Sequence, residues 1–588
     1  MERERSIGTA LERLWTELDS QKRRSGWDRK LKGAGYMRHR NDYEGTEVPE
    51  IVTHDCTAVE CLDTYVDGFV GYIMPQDDDW FMLMPRVKFN SRSRDKEYGG
   101  FGDIIEDSDL MKVMTDLTDI ALMEFSASGM YAPARMFTKD AEILGNGYLC
   151  ADEDGEGGLV YKCLDPMECA VAEDDKQRLD VFMRHFMMSP VDVVRKWKDA
   201  KLEHCWERVH KGASAETADV EVYEAILPKD YLYDPETDEP LLVNGKDSRK
   251  LAHVVWIPLE RELVCECGCN EMPVFTFSPS RDSDKTPYGK GLVTKYLDEI
   301  VLLDDDCNLK HIQFRKNVNP PMLVHQALRS NYSSKSGAVV YTADLSAQGA
   351  TPLFKEGASN NYSAMVNDIE EAKNHIRQLM NADLFRTLMA STDSRKTAYE
   401  VSELKNEAVT LLSMKIGTYV RDFLEPLVKR TIKVKLRNNR YELPGGMSVE
   451  KMCKYVDTCT VALNSVFVRR LQGYLKYQGL VSGLQFLGAV AQLEQSRSIG
   501  VLNTDVLLRA GLFGAGFPAY AIKDAEQLKR ERKEEQQMQQ QMMQSQMDEQ
   551  QSKALANVGK GVQSMQNGGV DVAQLMGQNQ VGGNSVGY

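Results

Sequence analysis

The stretch Thr286-Pro287-Tyr288-Gly289-Lys290-Gly291, followed by apolar side chains at Val293, Leu297, Ile300, Leu303 and Cys307, decides how the rest of the chain is read. Steps of three and four residues put those side chains on one helical face. The pattern predicts a helix of about 25 residues, a rod of roughly 37 Å. Asn317-Val318-Asn319-Pro320-Pro321 ends it, because a proline disfavours helix in the residue before it. A second amphipathic run carries Val366, Ile369, Ile376, Leu379 and Leu388, with Asp368, Glu370, Glu371, Lys373 and Arg377 between them. The polar stretch Ser391-Thr392-Asp393-Ser394-Arg395-Lys396 follows, and Thr397 with Glu400 forms a capping-box pattern that opens a third helix. Its stripe is Val401, Leu404, Ala408, Leu411, Tyr419 and Phe423. Pro426 sits inside the pattern and is expected to end or kink the helix near Glu425. Helix, insert, helix, loop, helix describes a hairpin with a small domain at one end and a loop at the other. It suits the wall of a channel better than a catalytic pocket.

Outward from the hairpin, the chain is long enough, at 588 residues, for three or four folding units. Apolar content of 42% and charged content of 27% belong to an ordinary soluble protein. No stretch approaches 18 uninterrupted apolar residues, so no membrane partner is expected. The start, Met1-Glu2-Arg3-Glu4-Arg5-Ser6, lacks the apolar segment of a secretory signal. Twelve scattered cysteines suit a reducing cytoplasm. The net charge of −16 argues against a protein that grips DNA through its phosphates, and it leaves open a conduit that DNA traverses without sticking.

Residues 1–45 read as a helix (Leu11, Leu14, Trp15, Leu18) and then a basic stretch from Lys22 to Arg40. Residues 50–290 read as an α+β domain, with helices at 59–74 and 109–129 and strands at 80–87, 147–150, 158–163, 180–187, 220–227 and 253–258. The insert at 318–362 holds strand-like pieces at 322–325 and 337–341. Residues 448–516 read as mostly helical, with 463–493 partly buried. A charged helix then runs into a Gln/Met-rich segment, and the Gly/Asn/Gln-rich end reads as disordered. Met538, Met542, Met543 and Met547 fit either a polar tail or a self-associating helix.

Chemistry finds little support. Cys265-Glu266-Cys267-Gly268-Cys269 offers three thiols, but the spacing is one residue rather than two to four and no fourth ligand lies nearby in sequence. A glycine-containing turn joining 261–264 to 273–277 accounts for it without a metal. Gly289-Lys290 lacks the glycine at 284 and the Ser or Thr at 291 that a phosphate loop needs, so a turn entering a helix is the better reading. Gly99-Gly100-Phe101-Gly102 reads as loop. The acidic runs Asp77-Asp78-Asp79 and Asp304-Asp305-Asp306 read as solvated, or as facing DNA, since adjacent helical positions diverge by about 100°. With nine histidines, no HExxH and no G-x-S-x-G, no catalytic residue and no cofactor is expected.

A resemblance adds to this. Met272-Pro273-Val274-Phe275, a charged loop and then Pro287-Tyr288-Gly289-Lys290-Gly291 leading into a long helix resembles the portal, or head-to-tail connector, proteins of short-tailed (podovirus-like) bacteriophages. Lys396-Thr397-Ala398-Tyr399-Glu400-Val401, Phe423-Leu424-Glu425-Pro426-Leu427 and Tyr441-Glu442-Leu443-Pro444 are similar to later blocks of that family. The likeness spans roughly 40–540.

It implies a portal fold: a wing over 1–290, stem helices at 291–317 and 363–389, a clip at 318–362, a tunnel loop at 390–396, a kinked wing helix over 397–447, a crown over 448–516 and a barrel or tail over 517–588. It further implies a homo-oligomeric ring, a dodecamer, at one capsid vertex of the virion, made in the host bacterial cytoplasm. Double-stranded DNA would be packaged and ejected along its axis. The terminase large subunit, a tail adaptor or nozzle protein, and the major capsid and scaffolding proteins would be its partners. On this map Arg395 and Lys396 in the loop, and Arg315 and Lys316 at the end of the first stem helix, are the candidates for transient phosphate contact. The plainer roles are helix capping or pairing with Glu400 for the first two, and compensation of the helix dipole for the others. Lys429, Arg430, Lys433, Lys435, Arg437 and Arg440 form a basic run that suits an intersubunit surface as well as DNA. The rivals are a metal-dependent DNA-processing enzyme and a capsid scaffold without a channel.

Overall fold

The computed structural model describes residues 2–37, 48–85, 108–318 (less 156, 199, 201, 203, 205–218, 235–238, 244–247 and 282–285), 322–323, 351–352, 358–383, 412–438 (less 413) and 448–463, with a few residues beyond 537. Two compact units divide at 479/480, and the account that follows concerns the first.

Helix α1 (Glu2–Arg24) lies on an antiparallel five-stranded sheet of order β10-β9-β6-β5-β4, formed by β4 (Cys169–Glu173), β5 (Leu179–Met188), β6 (Val220–Pro228), β9 (Leu251–Ile257) and β10 (Glu262–Cys269). Strand alternation sends Val181, Met183, Ala225, Leu227, Ala252, Val254 and Trp256 to the face under Ile7, Leu11 and Leu18 of α1. Trp256 Nε1 donates to Glu12 Oε1 at 2.9 Å. A small ribbon, β7 (Leu232–Tyr233) with β8 (Pro240–Leu241), closes that edge. The opposite face sends Val171, Phe182 and Ile226 against Tyr148, Cys150, Leu164 and Val274 of a three-stranded sheet. That sheet, ordered β11-β2-β3, consists of β2 (Gly147–Glu153), β3 (Leu159–Leu164) and β11 (Val274–Phe277).

The largest core gathers α2 (Trp27–Met37), α3 (Thr57–Ile73), α4 (Ser108–Ala127), α5 (Tyr131–Leu144) and the three-stranded sheet around the rings of Tyr419 and Phe423. Tyr419 packs edge-on against Phe69 and Phe277 at 5.2 and 4.8 Å between centroids, and its hydroxyl meets Thr138 Oγ1 at 3.0 Å. The sheet face opposite α1 also carries the short helix α6 (Pro190–Lys196), N-capped by Ser189, which accepts from the Asp192 N–H.

Three features refine the expectations. Of the two outcomes expected at Pro426, an end or a kink near Glu425, the helix does not end there. It passes through a π segment, Val420–Leu424, into α10 (Glu425–Arg437), with Pro426 in the first turn. The Glu425 N–H reaches the Val420 carbonyl, five residues back. Widening the turn in this way accommodates a ring that would press on the carbonyl four residues earlier. Residues 448–516 open not as continuous helix but as α11 (Val449–Thr458) and then β14 (Cys459–Leu463), which carries the β-branched pair Thr460-Val461 and pairs antiparallel with β1 (Phe81–Pro85). And 261–273 is no turn joining two strands, because Cys265, Cys267 and Cys269 all lie within β10.

Candidate functional site

The turn at 287–291 is a packing device. Asn146 Nδ2 donates to the Pro287 carbonyl at 2.9 Å, and its Oδ1 accepts from the Gly289 N–H at 3.0 Å. The Lys290 N–H reaches the Ser280 carbonyl at 2.7 Å. A Cβ at Gly289 would sit 1.8 Å from Ser278 Oγ, and one at Gly291 would sit 2.1 Å from the Glu142 carbonyl oxygen. Both positions need glycine, Gly291 because backbone at the end of α5 passes directly over it and Gly289 because Ser278 and the Ser280 carbonyl do. The turn leads into α7 (Leu292–Lys295) and then α8 (Leu297–Val318). Glu142 is the hinge post of this junction. Its Oε2 accepts from the Leu292 N–H at 3.2 Å, its Oε1 lies 2.6 Å from Lys415 Nζ, and the side chain is wholly buried. Thr294 Oγ1 adds a bond to the Ile143 carbonyl at 3.1 Å.

From this anchored root α8 runs outward and packs against α9 (Ala358–Leu379). Leu297, Ile300, Leu303 and Cys307 are buried, as are Ile369 and Ile376 on α9. Beyond the helices the chain makes a ribbon of β12 (Met322–Leu323) with β13 (Thr351–Pro352). The pair is tied to the N-terminus of α3 by a polar knot. Asp304 Oδ1 accepts from the backbone N–H of His54 and Asp55 at 2.5 and 3.0 Å, and Asp55 Oδ1 lies 2.8 Å from Lys373 Nζ. Burial pushes the Asp55 carboxyl up, but bonds from Lys373 and Thr57 outweigh it and hold the group below its ordinary range. The hydrogen bond to Asp55 raises Lys373. Asp304 is therefore buried and structural, a correction to the reading of that acidic run as solvated or facing DNA; Asp305 remains exposed. Asp77 and Asp79 lie exposed in the loop before β1.

The outer side of α8 is different. Leu302 and Leu309 are 57% and 56% exposed and lie two turns apart, opposite the buried stripe; Ile312 flanks them. Phe314 and Val318 continue the buried stripe past its last covered residue and stand 53% and 69% exposed. With Ile312, Arg315 and Lys316 they line an open groove at the far end of the helix. The charge changes sign along the rod. Asp298 and Glu299 occupy its first turn and Arg315 and Lys316 its last, both of the latter exposed. That polarity complements the helix dipole, and the same two cations point away from the body.

The other sequence-derived candidates separate clearly. Arg395 and Lys396, the 397–400 capping pattern, Leu388, the 99–102 glycines, 337–341 and 464–516 lie outside the described residues. Of the basic run, every described member pairs within the chain. Lys429 meets Glu425 at 2.6 Å, Lys435 meets Glu124 at 2.5 Å, Arg437 meets Glu271 at 2.5 Å, and Lys433 meets Asp457. Arg430, 7% exposed, donates to the carbonyls of Ala151 and Glu271. These side chains clamp α10 onto α4, β2 and α11, which corrects the expectation of an open cationic surface. Sequence reasoning missed Glu142, Asn146 and Asp55; a lone polar residue in an apolar run carries no signal of what backbone it will meet. It also missed the partner of the cysteines, His253, which the sheet register places opposite Cys267.

No helix among the described residues is long and apolar enough to cross a membrane. The model of the bacteriophage head to tail connecting protein family matches residues 9–522. The chain is also 22% identical over 444 residues to a probable portal protein of Bordetella phage BPP-1, covering 73% of this chain and 74% of that relative. The α+β body, the Pro-Tyr-Gly-Lys-Gly junction and the long helix it launches all fall inside the matched span. Such connectors are structural parts of the virion rather than enzymes. This chain belongs to the bacteriophage head-to-tail connecting protein family.

Proposed function

We propose that copies of this chain stand side by side as a closed ring at one vertex of the capsid, a dodecamer, and enclose the duct through which double-stranded DNA is packaged and later ejected. The observation that carries the reading is the two-sided apolar character of α8. One face is buried against its own body, and Leu302 and Leu309 on the opposite face are left for another surface. A helix apolar on two sides within one chain suits an element wedged between neighbours, and cyclic symmetry supplies that neighbour.

In this arrangement the helices within 291–317 and 363–389 form the stem, 318–362 the clip that docks the terminase large subunit and then a tail adaptor or nozzle protein, and 390–396 the tunnel loop. Residues 1–290 with 397–447 form the wing. The crown occupies 448–516, less the 449–463 segment packed into the body, and the barrel or tail 517–588. Major capsid and scaffolding proteins surround it. Arg315, Lys316, Arg395 and Lys396 then form circles of cations that touch phosphates without reading bases. The net charge of −16 over the whole chain keeps DNA from adhering. The chain is made in the host bacterial cytoplasm and assembled there into the virion.

Electron microscopy of the purified protein, alone and with its capsid partners, tests this. Rings with an axial opening are expected, and their symmetry gives the subunit number. Particles that stay monomeric or solid under both conditions would overturn the proposal.

A further inference from the structure

We propose that His253, Cys265 and Cys267 form a binding site for a zinc-class divalent cation at the outer edge of the five-stranded sheet, with water as the fourth ligand. The site does not depend on the ring and stands or falls separately from it.

The register of the sheet builds the cluster. Cys267 pairs with His253 across the β9–β10 ladder, and Cys265 pairs with Val255 one step further, beyond a bulge after Leu263. Residues two apart on a strand share a face, so both thiols and the imidazole project from the same side. Their ligand atoms lie within 4.8 Å of one another, with the two Sγ atoms 2.7 Å apart. Zinc holds sulfur at about 2.3 Å and nitrogen at about 2.0 Å in tetrahedral sites, so one ion reaches all three once side-chain rotation parts the two sulfurs by about 1 Å.

The imidazole is already aimed. Its Nε2 is 2.8 Å from Glu224 Oε1, which leaves Nδ1 as the nitrogen facing the thiols. A carboxylate that fixes the ring from its far nitrogen is the usual outer support of a metal-bound histidine. Glu224 is itself held, with Lys196 Nζ 3.6 Å away, and its side chain is 13% exposed. Two thiolates and one imidazole form a soft donor set that favours zinc over magnesium or calcium. Cys267 is exposed, so the fourth position opens to solvent.

The competing outcome is a Cys265–Cys267 disulfide. Residues two apart on a strand sit about 6.6 Å apart, within the Cα separation a disulfide spans, and the two Sγ atoms are 2.7 Å apart, so disulfide and metal compete for the same pair of sulfurs. The bound ion would fasten β10 to β9 at what is, among the described residues, an edge of the sheet.

The test uses full-length protein purified with its thiols reduced. One zinc per chain is expected by elemental analysis, and cobalt in its place should show the charge-transfer absorption of a cobalt thiolate. Cys267→Ser and His253→Gln should abolish stoichiometric binding, and Glu224→Gln should weaken it about 10–100-fold. Cys453→Ser, on α11, should retain one ion per chain. A second arm needs no variant: zinc should protect Cys265 and Cys267 of the wild-type chain from alkylation, and a chelator should remove that protection. Equal alkylation with and without zinc, absence of stoichiometric metal, or a Cys265–Cys267 disulfide found by mass spectrometry in freshly isolated protein would each overturn the proposal.

Discussion

The root of α8 and its far end are parts of one structural arm, yet they obey opposite rules. At the root, Asn146, Glu142, Ser278 and Thr294 each meet a named backbone group, and two glycines exist because backbone passes within bonding distance of them. Along the outer face Leu302 and Leu309 stand in solvent, and at the far end Phe314 and Val318 do so beside exposed cations. The difference teaches that one helix is satisfied at its root and apolar toward solvent along its outer face. On the proposed ring, residues at the root should answer to folding, and residues on the outer face to assembly.

The sharpest way to break that contrast is Glu142→Gln. It leaves the Lys415 ammonium, 16% exposed, without its anionic partner. Removing one member of a buried pair costs about 3–5 kcal/mol, so urea denaturation should show a large fall in the unfolding midpoint. Next is Gly291→Ala, whose Cβ would meet the Glu142 carbonyl oxygen at 2.1 Å. Overpacking against backbone costs about 1–3 kcal/mol, read in the same assay. On the stem, Leu302→Asp with Leu309→Asp should change subunit stability by no more than about 0.5 kcal/mol, as exposed positions do. Rings should nevertheless disappear from micrographs and sedimentation profiles.

The polar knot at the base of the stem predicts a pH signature. The Asp55 carboxyl is depressed, so its contribution is present above the ordinary carboxylate range and is lost as pH falls through the lowered value. Lys373 is raised, so its contribution is present at neutral pH and is lost as pH rises through the raised value. Asp55→Asn should flatten the acid arm of a stability-versus-pH curve and leave the neutral plateau lower. The smallest effect on stability is expected from Arg315→Glu with Lys316→Glu. Rings should form normally, and DNA retention in assembled heads should change; unaltered retention would remove these two from the duct.

Periodicity made the α+β class, the two long helices α8 and α9 and most strands of the body legible, because a 3.6 or a 2.0 repeat is a local property. The insert began its strand at Met322 as read, but paired it with Thr351–Pro352. The helix α5 went unread although it holds Phe137, Ala141 and Glu142, since its mixed polarity resembles a loop until the sheets close around it. The basic stretch after α1 hid two buried lysines. Lys22 donates to the carbonyls of Pro166, Met167 and Cys169, and burial pulls it down to about 8. A charge density counted along the chain cannot distinguish such a cation from one in solvent. The same limit misled the reading of Lys429–Arg437, whose partners Glu124, Glu271 and Asp457 come from elsewhere in the chain.

Pairing between β1 and β14 sets a timetable for biosynthesis. Phe81 waits for Leu463, so this two-stranded ladder cannot close until nearly four-fifths of the polypeptide has been made. Until then Phe81 and Leu83, buried once it closes, would lie on an open ladder, a template for stray association among nascent chains. Late closure also means that a prematurely terminated product lacking residue 459 onward would leave that edge uncovered.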